Sequence, residues 1–95
     1  MSAYVIVEIE IHNRSLYKEY TELTPSTIKA FNGRFVVRGG KTKVLEGDWN
    51  PKRIVVLEFP SADMANSWWN SKEYSSAREK RQQAASTRMI IVEGV

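Results

Sequence analysis

The 95 residues predict a single α+β domain, a four-stranded antiparallel sheet with two helical regions on one of its faces. Three observations point there. Ala3 to Ile11 alternates with period two, Arg53 to Phe59 is almost continuously apolar, and two stretches with helical spacing each follow a strand and open on a capping residue.

The first strand places Ala3, Val5, Val7, Ile9 and Ile11 on one face and Tyr4, Ile6, Glu8, Glu10 and His12 on the other. Asn13 is a cap for the helix that follows, in which Leu16, Tyr20, Leu23 and Thr27 recur at helical spacing beside Tyr17, Thr24 and Ile28. Pro25 has no amide hydrogen, so a kink or break is expected near Thr24. Asn32-Gly33 turns the chain into a second strand, Arg34 to Arg38, with Phe35 and Val37 on one side and Arg34, Val36 and Arg38 on the other. Gly39-Gly40 permits a tight turn, Lys43 to Glu46 reads as a short accessory return strand, and Gly47 to Lys52 as a loop. Arg53 to Phe59 leaves little that is polar on either face, which places it in the middle of the sheet.

Pro60 ends that strand and Ser61 caps a helix carrying Ala62, Ala65, Trp68 and Trp69. Asn70-Ser71 interrupts the pattern, and Ser71 caps a further helical segment with Tyr74, Ala77, Arg81 and Ala84 or Ala85 on its apolar stripe. Arg88 to Val95 closes the chain as a strand. This order is that of a ferredoxin-like α+β sandwich. Two helical layers cannot cover both sides of one sheet. Tyr4, Ile6, Val36, part of Val55 to Phe59 and one face of Met89 to Val95 are left as an apolar surface, which a second copy packed sheet against sheet would bury.

Composition narrows the function classes. One domain of this length buries roughly 60% of the surface its unfolded chain exposes, so its core is thin. The chain has no cysteine and one histidine, which removes disulfides and a three-histidine metal site and leaves packing or a partner subunit to supply stability. The expected location is the cytoplasm, with no membrane association, since no long apolar helix or signal peptide is legible. Fourteen basic and eleven acidic residues, net +3, are mixed along the chain without a basic tail, so nucleic acid is not the expected partner. Gly33 to Arg38 also lacks the aromatic pattern on which RNA-recognition sheets stack bases.

The candidate site residues follow from side-chain chemistry. Arg38, leaving a strand beside two glycines, can form a paired contact with a ligand carboxylate, or pair with Glu46 across the hairpin. Arg34, nearer the strand entry, reads as solvated charge. Glu8 and Glu58 interrupt apolar strands and mark either a polar pocket or ion pairs with Arg38, Arg53 or Arg88. Glu58 is the candidate proton acceptor, with His12 as the alternative. Tyr17, Trp49, Trp69 and Tyr74 are ring-bearing candidates for lining a ligand cleft, with Arg81 closing its rim, while Tyr20 and Trp68 read as core. No nucleophile elbow, dinucleotide fingerprint or phosphate loop is present, so any turnover is expected to need neither metal, nicotinamide nor flavin.

Tyr17 and Tyr20, Arg38-Gly39-Gly40, Glu46 to Pro51, Leu57 to Ser61, Trp68 to Tyr74 and Val92 to Val95 together resemble the DUF1330 family of the dimeric α/β barrel superfamily, over nearly the whole chain. The resemblance implies a homodimer whose two sheets form a shared barrel, and no established activity. Related families of that superfamily include cofactor-independent oxygenases, small-molecule isomerases and haem enzymes. Fold alone does not transfer function. The reading of the sequence is a pocket for a small acidic or aromatic molecule in a homodimer, oxygenase-like or isomerase-like if it turns over. The competing reading is a non-catalytic dimeric interaction module.

Overall fold

The computed structural model describes residues 1–95. Seven elements follow in the order β1 (Ala3–Ile11), α1 (Arg14–Ala30), β2 (Arg34–Arg38), β3 (Arg53–Phe59), α2 (Ala62–Trp69), α3 (Lys72–Ala84) and β4 (Ala85–Glu93). The strands form one antiparallel sheet in the order β2-β3-β1-β4, so the two most apolar strands are central. The Cα envelope is a slab of 36 × 36 × 16 Å, one sheet and one helical layer thick.

Period two sorts the sheet as expected. Ala3, Val5, Val7 and Ile9 are buried beneath the helices with Val55, Leu57 and Phe59 of β3. The three helices present Tyr17, Tyr20 and Ile28, then Ala65 and Trp68, then Tyr74, Ala77 and Ala84 to the same core. Phe59, Trp68 and Tyr74 stack in series, with ring centroids 5.4 and 4.1 Å apart. Each predicted cap forms: Asn13 Oδ1 accepts from Leu16 N, Ser61 Oγ from Met64 N and Ser71 Oγ from Tyr74 N. Gly33 is required by proximity, because a Cβ there would lie 2.5 Å from the Phe59 ring.

Four expectations are corrected. Pro25 does not break α1, which runs unbroken from Arg14 to Ala30. The carbonyl that loses its partner is that of Thr21, four residues back, and it accepts a hydrogen bond from Arg38 Nη2 at 3.3 Å. β2 does not alternate simply. An extra residue between Phe35 and Val37 sets Val37 opposite Val56 and Arg38 opposite Val55, so a bulge swings Arg38 onto the helix-covered face. The accessory strand at Lys43 to Glu46 is absent. Those residues find no ladder partner and arc over the bare face of the sheet, held by Trp49 Nε1 and Lys52 N, which both donate to Glu8 Oε2. Finally, β4 begins at Ala85, three residues earlier than expected, directly from the end of α3.

Candidate functional site

The site follows from a gap in the helical layer. α1 and α3 lie side by side over the sheet, whereas the short α2 covers the β4 end only in part. The helix-facing residues of β4, Thr87, Met89 and Ile91, are therefore left beside a recess of about 550 Å³. Ala65, Trp68 and Trp69 of α2 form one wall, with Val5 and Ala85 behind, and Asn66, Arg81 and Gln82 supply polar groups. That volume lies within the range of small-molecule sites, roughly 300 to 1,000 Å³.

Helical spacing explains how these side chains arrive. Ala65, Trp68 and Trp69 lie at i, i+3 and i+4, so the half-buried Trp69 stands at the edge of the face that buries Trp68. Arg78 fixes Trp69 from outside: its guanidinium carbon sits 4.8 Å from the ring centroid and its Nη1 donates to the Trp69 carbonyl. Tyr74, Ala77, Arg81 and Ala84 form the buried stripe of α3, which carries Arg81 inward to 4% exposure. Arg81 Nε donates to Tyr74 Oη at 3.3 Å, and Tyr74 Oη lies 2.9 Å from Tyr20 Oη. Burial, and then its Tyr74 neighbour, push the Tyr20 phenol far above its ordinary value, so it stays protonated. Behind this pair, Trp68 Nε1 donates to Thr27 Oγ1, Thr27 Oγ1 to the Thr24 carbonyl, and Thr24 Oγ1 to the Tyr20 carbonyl. Every step of that buried polar chain is satisfied.

Of the residues singled out in the sequence, Trp69 and Arg81 line this recess, and Tyr74 holds Arg81 from behind. Tyr74 is fully buried and is a support for Arg81, not a rim residue as expected. Arg81 likewise sits within the recess instead of closing it from solvent. Tyr17 and Arg38 lie at the other end of the helix-covered face, around Arg53 and Phe35, where the free space is about 20 Å³, room for about one water molecule. There Arg38 lies 4.2 Å over the Phe35 ring and bonds Thr21, with no ion pair to Glu46.

Trp49, Glu8 and Glu58 lie on the opposite face of the sheet. Glu8 pairs with Arg88, and that hydrogen bond first, then those from Lys52 N and Trp49 Nε1, hold its carboxyl below the usual range. Glu58 meets Arg34 at 2.6 Å and Tyr4 Oη at 3.3 Å; the Ser2 hydroxyl first, then Arg34 and Tyr4, likewise keep it low. Arg34 is thus solvated, as expected, and is also the partner of a surface ion pair. His12 is exposed at the end of β1, with Nε2 2.8 Å from Ser86 Oγ. The structure therefore does not bring Glu58, His12 and Arg38 together. Asn66 on α2, Gln82 on α3 and Thr87 on β4, which sequence reasoning passed over, are the further polar residues of the recess. No three His, Cys, Asp or Glu side chains converge anywhere, and no helix is long and apolar enough to cross a membrane.

An antiparallel sheet in the order β2-β3-β1-β4 beneath one helical layer defines a ferredoxin-like domain. More narrowly, the chain belongs to the DUF1330 family, described as a domain of unknown function, whose model matches residues 2–95. No curated protein matches this sequence. Among solved structures, RPA0582 of Rhodopseudomonas palustris, a protein of unknown function, is similar with a TM-score of 0.77 at 18% identity, over 99% of this chain and 82% of that one. A dimeric ferredoxin-like protein of unknown function from Jannaschia sp. CCS1 gives 0.73 at 10% identity, over 99% and 100%. SnoaB, a cofactor-independent oxygenase from Streptomyces nogalater, gives 0.67 at 10% identity, over 99% and 93%. At such identities the likeness is one of fold.

Proposed function

We propose that this protein binds a small organic molecule in the recess between β4 and the α2–α3 corner, and that it does so as a homodimer. The observation that carries the reading is the recess itself, walled by Trp68, Trp69, Met89 and Ile91 and carrying the few polar groups of Arg81, Thr87, Asn66 and Gln82. A recess that sets apolar walls beside a small number of placed polar groups can orient a small ligand. The homodimer is supported by the other face, where Ile6, Val37, Ile90 and Val92 stay exposed beside Trp49 and Leu45. A solved protein of the same fold is described as dimeric.

Chemistry at this recess, where it occurs, is oxygenase-like or isomerase-like without metal, nicotinamide or flavin. Likeness of fold to a cofactor-independent oxygenase supports that class. In that scheme Trp69 excludes water and Arg81 stabilises developing negative charge. The second reading, a non-catalytic dimeric module, is favoured by the distance in the fold between the recess and both proton-accepting candidates, since Glu58 and His12 stand outside it.

Native mass spectrometry on protein purified under mild conditions tests the reading. A dimer that releases a small organic molecule from the wild type, and little from Trp69→Ala, is the expected result. A monomer at micromolar concentration with no retained molecule, and no binding from a screened library, would overturn it.

A further inference from the structure

Resting on this pocket reading, we infer that the ligand is a carboxylate, a flat and largely apolar organic acid whose anionic group is held by the Arg81 guanidinium. The argument begins with an imbalance of charge. Arg81 is 4% exposed, yet the ion pairs of the fold, Arg34–Glu58, Lys52–Glu10, Lys80–Glu19 and Arg88–Glu8, leave it without a carboxylate. Each of those paired cations is more exposed than Arg81, so the most deeply buried of these cations is the one without a counter-charge.

Its hydrogen bonding has the same asymmetry. A guanidinium offers five N–H donors in one plane. Only Nε is engaged, by Tyr74 Oη at 3.3 Å, and that phenol is itself 2.9 Å from the Tyr20 hydroxyl, a neutral pair that supplies no negative charge. Neither terminal nitrogen makes a hydrogen bond, Arg81 lines the recess, and a planar guanidinium matches the two oxygens of a carboxylate. The last turn of α3 offers Arg81 a partial negative charge but no carboxylate. The Ala84 carbonyl accepts from His12 N and Asn13 N, and the Arg81 carbonyl accepts from Ala85 N.

A second unpartnered polar group lies on a different element. Thr87 Oγ1 on β4 is buried and has no hydrogen-bond partner, and Thr87 lines the recess with Arg81. The Arg81 guanidinium is thus the one charged group of a recess whose other walls are indole, thioether, aliphatic carbon, the Thr87 side chain and the amides of Asn66 and Gln82. The only other arginine at this corner, Arg78, is spent on the Trp69 ring and carbonyl. A single free cation suits a monoanion. A phosphate, with its second charge, would call for a second cation, and Arg81 is the only one lining the recess. The cavity of about 550 Å³ admits a molecule of one or two rings.

The test is isothermal calorimetry with matched pairs of probes, benzoate with benzamide and 2-naphthoate with 2-naphthamide, each acid having nearly the shape of its amide. In the wild type the acid of a pair is expected to bind at least about tenfold more tightly than the amide. Arg81→Gln is expected to bring the acid to the level of the amide, and Arg81→Lys to recover part of the difference. Because the wild-type comparison needs no substitution, it stands even where a variant fails to fold. Equal affinities for acid and amide, both lost in Trp69→Ala, would keep the pocket and overturn the carboxylate. An acid preference that survives in folded Arg81→Gln would also overturn it. Binding of neither member of either pair would overturn the inference together with the pocket reading.

Discussion

Both faces of one sheet carry apolar side chains, and these meet opposite fates. On the helix-covered face of β1, Val5, Val7 and Ile9 are at most 3% exposed; on the other face, Ile6 is 37% exposed and its cross-strand neighbour Ile90 is 60% exposed. Charge is handled differently as well. The bare face carries acid–base pairs, Glu8 with Arg88 and Glu58 with Arg34, on either side of its apolar centre. The covered face buries Arg81 with a phenol and no acid. The difference teaches where the fold stops: one face leaves apolar side chains exposed, and the other buries a guanidinium that no carboxylate of the chain meets.

The largest effect is expected in the covered core. Trp68 touches Phe59 and Tyr74 and donates to Thr27 Oγ1, so Trp68→Ala removes both packing and a buried hydrogen bond. A loss of about 3 to 5 kcal/mol is expected in denaturant unfolding. A loss near that of a surface substitution would show that the core does not rest on this ring.

Tyr74→Phe comes next. It keeps the ring but strips Arg81 Nε and Tyr20 Oη of their shared partner. Leaving buried polar groups unsatisfied should cost about 1 to 3 kcal/mol in the same measurement.

On the bare face, Ile90→Lys places a charge at the centre of the proposed dimer contact. It should leave far-UV circular dichroism unchanged and raise the dimer dissociation constant by about tenfold or more in analytical ultracentrifugation. A dimer as tight as the wild type would move the interface elsewhere.

The smallest effect is the pH response of the ion pairs. Both Glu8 and Glu58 have lowered values in the folded protein, Glu8 chiefly through Arg88 and Glu58 chiefly through Ser2. Depressed carboxylates stabilise the fold above their unfolded value, about 4.3, and that contribution fades as pH falls through the lower folded values. The thermal unfolding temperature of Glu8→Gln/Glu58→Gln should therefore fall less steeply than that of the wild type as pH drops below about 4, with the difference reduced by salt.

Much of this architecture was legible because it depends on short-range rules. Alternation assigned both faces of β1, and capping residues placed all three helix starts. What was not legible depended on partners distant in sequence. Nothing local announces that Val36 adds a residue to β2, yet this bulge decides which face receives Arg38. Arg38 in turn answers the carbonyl freed by Pro25, so two features read separately in the sequence form one contact. The candidate site was half legible. Trp69 and Arg81 stood out by type and spacing, but Asn66, Gln82 and Thr87 are ordinary polar residues until α2, α3 and β4 bring them to one recess. An arginine at the seventh place after Tyr74 on an otherwise small, apolar stripe was the available signal, and only its burial gives it meaning.

The central claim, that the covered face takes the ligand and the bare face takes a second copy, is tested most directly by titrating isotope-labelled protein with 2-naphthoate and following backbone and indole resonances. The account predicts shifts concentrated at Asn66, Trp69, Arg81, Gln82, Thr87 and Ile91, with Ile6, Trp49 and Ile90 unmoved. Shifts concentrated instead at Ile6, Trp49 and Ile90, with the Trp69 indole unmoved, would contradict it.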